Sequence, residues 1–229
     1  MAQLPWAVVE SRPVTFAKAR LAAVKCAQEL SEVLDNNATK SRVVSLLQDF
    51  IGALQECEAN ATIKEQIKHV PCVSLVKARG AVQIHPSFMG DALKGVYSYL
   101  ANLLMQYNED LGGIWLTCGK VRQMDECGYV TDGDSFGILS LRISLRLLVF
   151  TPRSGRMCGK VTKADPHRAS LLVYGIFGVT ARPDENDNLQ AQELREGDTV
   201  DMEVSDVKIL PKNKWVILST TMGRVRVMS

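Results

Sequence analysis

The chain has 229 residues, 46% hydrophobic and 23% charged, with 27 Lys plus Arg against 25 Asp plus Glu. At roughly 100–200 residues per domain this ordinary globular composition allows one large domain or two to three small ones, each able to bury a core. The formal charge of +2 excludes a basic tail protein that holds nucleic acid by bulk charge and an acidic disordered chaperone, so a partner must be recognised locally.

Residues 1–70 read as helical. Ser11, Arg12 and Pro13 suit a helix start, and Val14, Ala17, Leu21, Val24, Leu30 and Leu34 fall on one stripe with one longer gap. Asp35-Asn36-Asn37 breaks the stripe, and Val43, Leu46, Leu47, Phe50, Leu54 and Cys57 form a second one after a Thr39 cap. A short third helix carries Ile63, Ile67 and Val70 before Pro71. Three helices of this size make a thin core, so the unit is either a bundle leaning on the rest of the chain or a docking surface for a partner helix.

From residue 72 to 150 the period changes. Residues 72–76 and 81–85 are short apolar runs with β-branched side chains, and Ser87 is placed to cap a helix running to about Tyr107. Its buried face is Leu93, Val96, Tyr97, Leu100, Leu103, Leu104 and Tyr107. Ile114, Leu116 and Cys118 alternate as a strand does, with Gly119 as a bulge, and residues 125–135 form a polar loop. Then Leu141, Ile143, Leu145, Leu147 and Val149 face one way while Arg142, Ser144 and Arg146 face the other. Strand, helix, strand, strand predicts one helix on an antiparallel sheet.

Beyond Thr151 the chain is strand and turn. Runs at 156–163, 170–174, 176–181, 199–210 and 214–220 are separated by Asp165-Pro166, Gly175, a polar loop at 182–188 and Pro211-Lys212-Asn213, which predicts a small barrel, with room for a short helix at 189–196. Gly155, Gly159-Lys160-Val161, Gly175-Ile176-Phe177-Gly178-Val179 and Gly197-Asp198-Thr199-Val200 resemble the S1 version of the oligonucleotide-binding (OB) fold.

No stretch is long and apolar enough to span a bilayer, the longest uncharged run being 95–108, and the N-terminus lacks a signal-peptide pattern. The six cysteines have no C-x-x-C spacing, which favours free buried thiols in a reducing compartment over disulfides or zinc, and makes the Asn37-Ala38-Thr39 and Asn60-Ala61-Thr62 triplets chance matches. Phosphate-loop, dinucleotide, zinc-protease and nucleophile-elbow motifs are absent, His69, His85 and His167 stand apart, and Asp125, Glu126, Asp132 and Asp134 lack a calcium-loop pattern. A non-enzymatic role without cofactor or metal follows as the expectation. Between residues 142 and 168, Arg142, Arg146, Arg153, Arg156, Lys160, Lys163 and Arg168 face a single acid, Asp165. Arg156, Lys160, Lys163 and Arg168, with Tyr174 and Phe177 as stacking rings, are the candidate single-strand RNA contacts, although alternation along a strand puts at least one of those rings in the core.

Several stretches together resemble the larger stalk subunit of DNA-dependent RNA polymerases. They are Ile84-His85-Pro86-Ser87-Phe88-Met89-Gly90, then Tyr107-Asn108-Glu109-Asp110-Leu111-Gly112-Gly113, then Gly133-Asp134-Ser135-Phe136-Gly137, and the junction from Leu148 through Phe150-Thr151-Pro152-Arg153-Ser154-Gly155 to Gly159-Lys160-Val161. The likeness covers about residues 72–220, and Tyr107-Asn108, Gly112-Gly113 and Asp134-Ser135-Phe136-Gly137 look most like the RNA polymerase I version. With the helices read from their own periodicity as an extension at 1–70, it implies an α+β chain with a tip domain at 71–151 and an S1-like OB barrel at 152–229. Phe150, Pro152, Gly155 and Gly159 form the domain junction, where Pro152 ends the tip strand, Gly155 permits the turn and Gly159 lets another backbone approach. The resemblance further implies docking on polymerase core subunits through the 80–90 and 112–120 regions, with His85, Pro86, Phe88, Gly112 and Gly113 as candidates. It also implies a smaller stalk subunit, an initiation factor and nascent RNA as partners, no membrane, and a nuclear, nucleolar location. The helices before Val70 have no counterpart in that pattern, and either replace the smaller partner or brace it. The rival reading is a free-standing S1-type RNA-binding protein; a third is an enzyme using the 125–134 loop.

Overall fold

The computed structural model describes residues 5–34, 38–60, 67–125, 128–131, 138–153, 155–165, 167–183, 194–210 and 216–228. Strand β1 (Ala7–Pro13) comes first, followed by helices α1 (Phe16–Val33) and α2 (Ala38–Ala59). The Arg20–Glu58 ion pair at 3.3 Å joins the start of α1 to the end of α2, so the helices run antiparallel. Next come β2 (Val73–Ile84), a 3-10 turn at Pro86–Phe88, α3 (Ala92–Leu103), β3 (Tyr107–Asn108), β4 (Gly113–Trp115), β5 (Arg122–Gln123), β6 (Tyr129–Thr131) and β7 (Ile138–Phe150). The last third holds β8 (Arg156–Asp165), β9 (Arg168–Val173), β10 (Phe177–Arg182), β11 (Thr199–Glu203), β12 (Asp206–Ile209), β13 (Val216–Thr221) and β14 (Val225–Val227).

The first sheet has the order β1-β2-β7-β4-β3, with β5 and β6 also on β7. Its spine is the antiparallel pair β2 and β7, in register from Val73↔Phe150 to Ile84↔Leu139. Strict alternation in β7 puts Leu141, Ile143, Leu145 and Leu147 on the buried face, which α1 covers at β7 and α3 at β2, because a sheet covered on one side needs one apolar row per strand. Asp91 caps α3 by accepting from the Lys94 N–H at 3.1 Å.

The second sheet is a closed five-stranded barrel. β8, β9 and β10 form a meander, β10 runs parallel to β13, and the strand that starts as β11 on β8 continues as β12 on β13. Between them the Ser205 N–H donates to the Ser219 carbonyl at 2.9 Å, and β14 extends β13 back along β11, so the ring has no open seam. The α+β reading, with a helix-rich start, a tip sheet and an OB-like barrel, is borne out.

Several local expectations change. Residues 7–13 are an edge strand on β2, not a helix start, and α1 begins at Phe16. The α1 face is rotated: Phe16, Ala19, Ala23, Cys26 and Leu30 are buried while Ala17 is exposed and Leu21 is 54% exposed. Small side chains line that face because α1 lies close to α2 and to the chain around Cys118, where Cys26 and Cys118 have their sulfurs 3.5 Å apart. The α2 stripe is as expected, with Val43, Leu47, Phe50 and Leu54 buried. Ile63 lies outside the described residues, and Ile67 and Val70 are not helical. The runs 72–76 and 81–85 belong to one strand. Pro86 and His85 hold residues 86–88 as a tight turn, so the helix waits for Asp91 and leaves Leu93 exposed, and Tyr107 falls in a strand. Most of the 189–196 helix lies outside the described residues, and 194–196 are not helical. Cys26, Cys57, Cys72, Cys118 and Cys158 are free thiols.

Candidate functional site

Helices, tip sheet and barrel meet in one aromatic cluster. Phe150, the fully buried last residue of β7, stacks on Phe177 with centroids 4.4 Å apart and planes 17° from parallel. Tyr174 meets Phe150 edge-on at 6.0 Å and Phe50 of α2 edge-on at 6.0 Å. The Tyr174 hydroxyl donates to the Pro71 carbonyl at 2.6 Å, and the Cys72 thiol donates to the Gly155 carbonyl at 3.4 Å. Burial holds the Tyr174 phenol well above its ordinary range, so it stays a donor. Pro152 is buried beside the turn. A Cβ on Gly159 would run into the Met202 Cε, the movable end of a side chain, and lie 3.3 Å from the Leu172 carbonyl oxygen, so β8 packs tightly there between β9 and β11. On the α2 side, Gly175 has φ +72° and sits so close that a Cβ would lie 2.8 Å from the Asp49 carbonyl oxygen. Each contact joins residues far apart in sequence, and together they tie the helices to the tip–barrel boundary.

This arrangement buries one of the two rings proposed for base stacking, Tyr174, and covers one face of the other. Tyr174 is 3% exposed, and Phe177 has one face on Phe150 and borders a cavity of about 380 Å³ shared by α2, tip and barrel. Both rings pack where three elements converge, Tyr174 wholly and Phe177 through one face.

The candidate cations differ from one another. Arg156 is tied down: its Nε donates to Asp201 Oδ2 at 2.6 Å and its Nη2 to the Asp201 carbonyl at 3.2 Å. Lys163 pairs with Asp165 at 3.4 Å, and both are well exposed. Lys160 is exposed at the edge of a cleft of about 540 Å³ between α2 and the barrel, whose other wall carries Asp49 and Glu56. Arg168 is exposed at the start of β9. Acids beside Lys160 and Lys163 weaken the attraction for phosphate. Arg142 and Arg146, contiguous with this set in sequence, lie on the tip sheet instead.

The docking candidates are also separated. His85, exposed and bonded through Nδ1 to the Ser87 hydroxyl at 2.8 Å, lies with Pro86 and Phe88 beyond the Ile84↔Leu139 end of the ribbon. Gly112 and Gly113 lie at the Val73↔Phe150 end, where a Cβ on Gly113 would clash with the Val149 side chain and the Phe150 carbonyl. At about 3.4 Å per residue those ends are on the order of 35 Å apart, so the five residues are not one surface.

Gly133 to Gly137 and most of the 125–134 loop lie outside the described residues. Asp125 is held by Arg142, whose Nη2 donates to it at 2.6 Å; that bond keeps its carboxyl below the ordinary range. Among the described residues no three His, Cys, Asp or Glu side chains cluster to hold a metal.

Residues 79–135 match the model of the SHS2 domain found in the N terminus of Rpb7p/Rpc25p/MJ0397. The DNA-directed RNA polymerase I subunit RPA43 of Mus musculus is 24% identical over 137 residues, 58% of this chain and 41% of that protein. The Homo sapiens subunit of the same name is 24% identical over 127 residues, 54% of this chain and 37% of that protein. The chain thus spans about two-fifths of the length of these relatives. The resemblance to the larger stalk subunit is borne out by both comparisons, and the likeness to its polymerase I version by the two relatives.

Proposed function

We propose that the chain works as a non-catalytic stalk-type subunit of a nuclear DNA-dependent RNA polymerase, polymerase I. The observation that carries this reading is the continuous path from the matched SHS2 segment along β7, through the Phe150 junction, into a closed barrel. Such a chain acts by holding two binding surfaces at a set distance. The aromatic cluster and the α1–α2 hairpin supply the stiffness, since each ties elements from different parts of the chain. The exposed end at His85, Pro86 and Phe88 is the surface assigned to the polymerase core. Gly113, packed at the junction, shapes the tip, and Gly112 beside it stands in open space at the opposite end of the ribbon as a second candidate contact. A smaller stalk subunit and an initiation factor are the protein partners in this reading, nascent RNA is a weak ligand of Lys160, Lys163 and Arg168, and the site of action is the nucleolus.

Affinity purification of a tagged chain from its own nuclei tests the assignment. Large polymerase I subunits should co-purify at moderate salt. Recovery of no polymerase subunit, with tight binding of single-stranded RNA at physiological salt, would establish the free-standing S1-type reading instead.

A further inference from the structure

The uncovered face of the tip sheet carries a concentration of positive charge that neither the core nor the junction explains. On this face the β2–β7 register sets Lys77 opposite Arg146, Arg79 opposite Ser144 and Ala81 opposite Arg142, and β5 adds Arg122 opposite Ser144. Arg79, Arg122, Arg142 and Arg146 are exposed and Lys77 is half-buried. Among the described residues, Lys77, Arg79, Arg122 and Arg146 have no ion-pair partner; Arg142 is held by Asp125, and the nearby Glu10 lies 3.8 Å from Arg12. Like charges directly opposite one another on a sheet destabilise it. Lys77 has Glu10 of β1 opposite it on its other side, but its β7 partner is Arg146, and a fold that sets these two cations together, with Ser144 and Ala81 leaving the surface low between the cations, is costlier than one with a Glu at position 146.

We propose that this face docks an extended acidic polypeptide segment. Cations two residues apart on one strand recur at about 7 Å, and strands are about 5 Å apart; an extended chain presents alternate side chains at the same 7 Å repeat. Guanidinium groups match carboxylates as two-pronged donors. The register brings one aromatic residue to this face, Tyr129 opposite Ser140 and two residues along β7 from Arg142, so the face carries no succession of rings on which consecutive bases stack. The charge is complementary to Asp- and Glu-rich protein, and with Tyr129 alone at one end the surface lacks the run of rings that single-stranded nucleic acid needs. The inference rests on the sheet alone and stands or falls separately from the polymerase assignment.

Fluorescence anisotropy with the full 229-residue chain, a labelled alternating Glu–Ser peptide and an oligouridylate of equal charge tests it. The peptide should bind more tightly than the oligouridylate, with affinity falling as salt rises. The Arg79→Glu, Arg146→Glu double variant should lose about tenfold or more in peptide affinity, two exposed ion pairs turned repulsive. Lys18→Glu, Lys25→Glu, with the same net-charge change on the exposed side of α1, should stay within about twofold. Arg146→Glu alone should raise the thermal midpoint by converting its like-charge pair with Lys77 to an opposite one while leaving Glu10 opposite Lys77, a readout independent of any binding partner. Equal losses in both double variants, no peptide binding by the parent chain, or tighter oligouridylate binding abolished by the Arg79, Arg146 changes would each overturn the proposal.

Discussion

Replacing Gly175 with alanine tests whether α2 presses on the barrel. Two costs add at this position. A side chain at φ +72° is disfavoured by roughly 1–2 kcal/mol, and its Cβ would lie 2.8 Å from the Asp49 carbonyl oxygen, forcing helix backbone to retreat at a further ~1–3 kcal/mol. Two other glycines separate the terms. Gly197 has φ +93° but open space around it, so Gly197→Ala should cost only the conformational ~1–2 kcal/mol. Gly178 has neither problem, and alanine there should stabilise its strand by about 0.5–1 kcal/mol. In urea unfolding, with a slope of roughly 2–3 kcal/mol per M, Gly175→Ala should lower the midpoint by about 1–2 M and Gly197→Ala by clearly less. Equal losses at Gly175 and Gly197 would mean that α2 does not touch the barrel turn, and the stiffness argument for the hairpin would fail with it.

Tyr174→Phe should destabilise by about 1–3 kcal/mol in the same assay, because the buried Pro71 carbonyl loses its donor while the ring packing is kept; an unchanged midpoint would show the bond to be dispensable. The Cys158 thiol, ordinarily near 9.0, is pushed up to about 12 by burial first and by Cys57 and Asp201 after it. The unfolded thiol ionises before the native one, so its stabilising contribution is complete below about pH 9 and declines by about 1.4 kcal/mol per pH unit towards pH 12. Cys158→Ala should therefore flatten the fall of the urea midpoint across that alkaline range, and an identical slope in both proteins would refute the shift.

Legibility in the sequence followed the kind of packing each element has. β7 was plain because one covered face imposes alternation, and α2 because large apolar side chains repeat every three to four residues. The buried side of α1 was obscured by Ala19, Ala23 and Cys26, which pack closely without registering as strongly hydrophobic. β1 carried no pattern, since all its residues are exposed and only hydrogen bonds to β2 hold it as a strand. The start of α3 was misplaced because Ser87 suits a cap as well as Asp91 does, and the 3-10 turn at Pro86–Phe88 intervenes.

By itself the sequence determined the α+β class, the order of helices, tip sheet and barrel, and the likeness to a polymerase stalk subunit, since all of these rest on local periodicity, turn residues and short motifs. Only the tertiary structure decided which residues share a surface. It assigned Tyr174 and Phe177 to the junction, placed His85 and Gly113 at opposite ends of one ribbon, and divided the basic stretch between barrel and tip sheet. It also brought Lys77 and Arg79 beside Arg146 and Arg142. The physical reason is that a strand's own pattern states which face is buried, while the residue opposite each position is set by register, and register is fixed by contacts between segments about 70 residues apart.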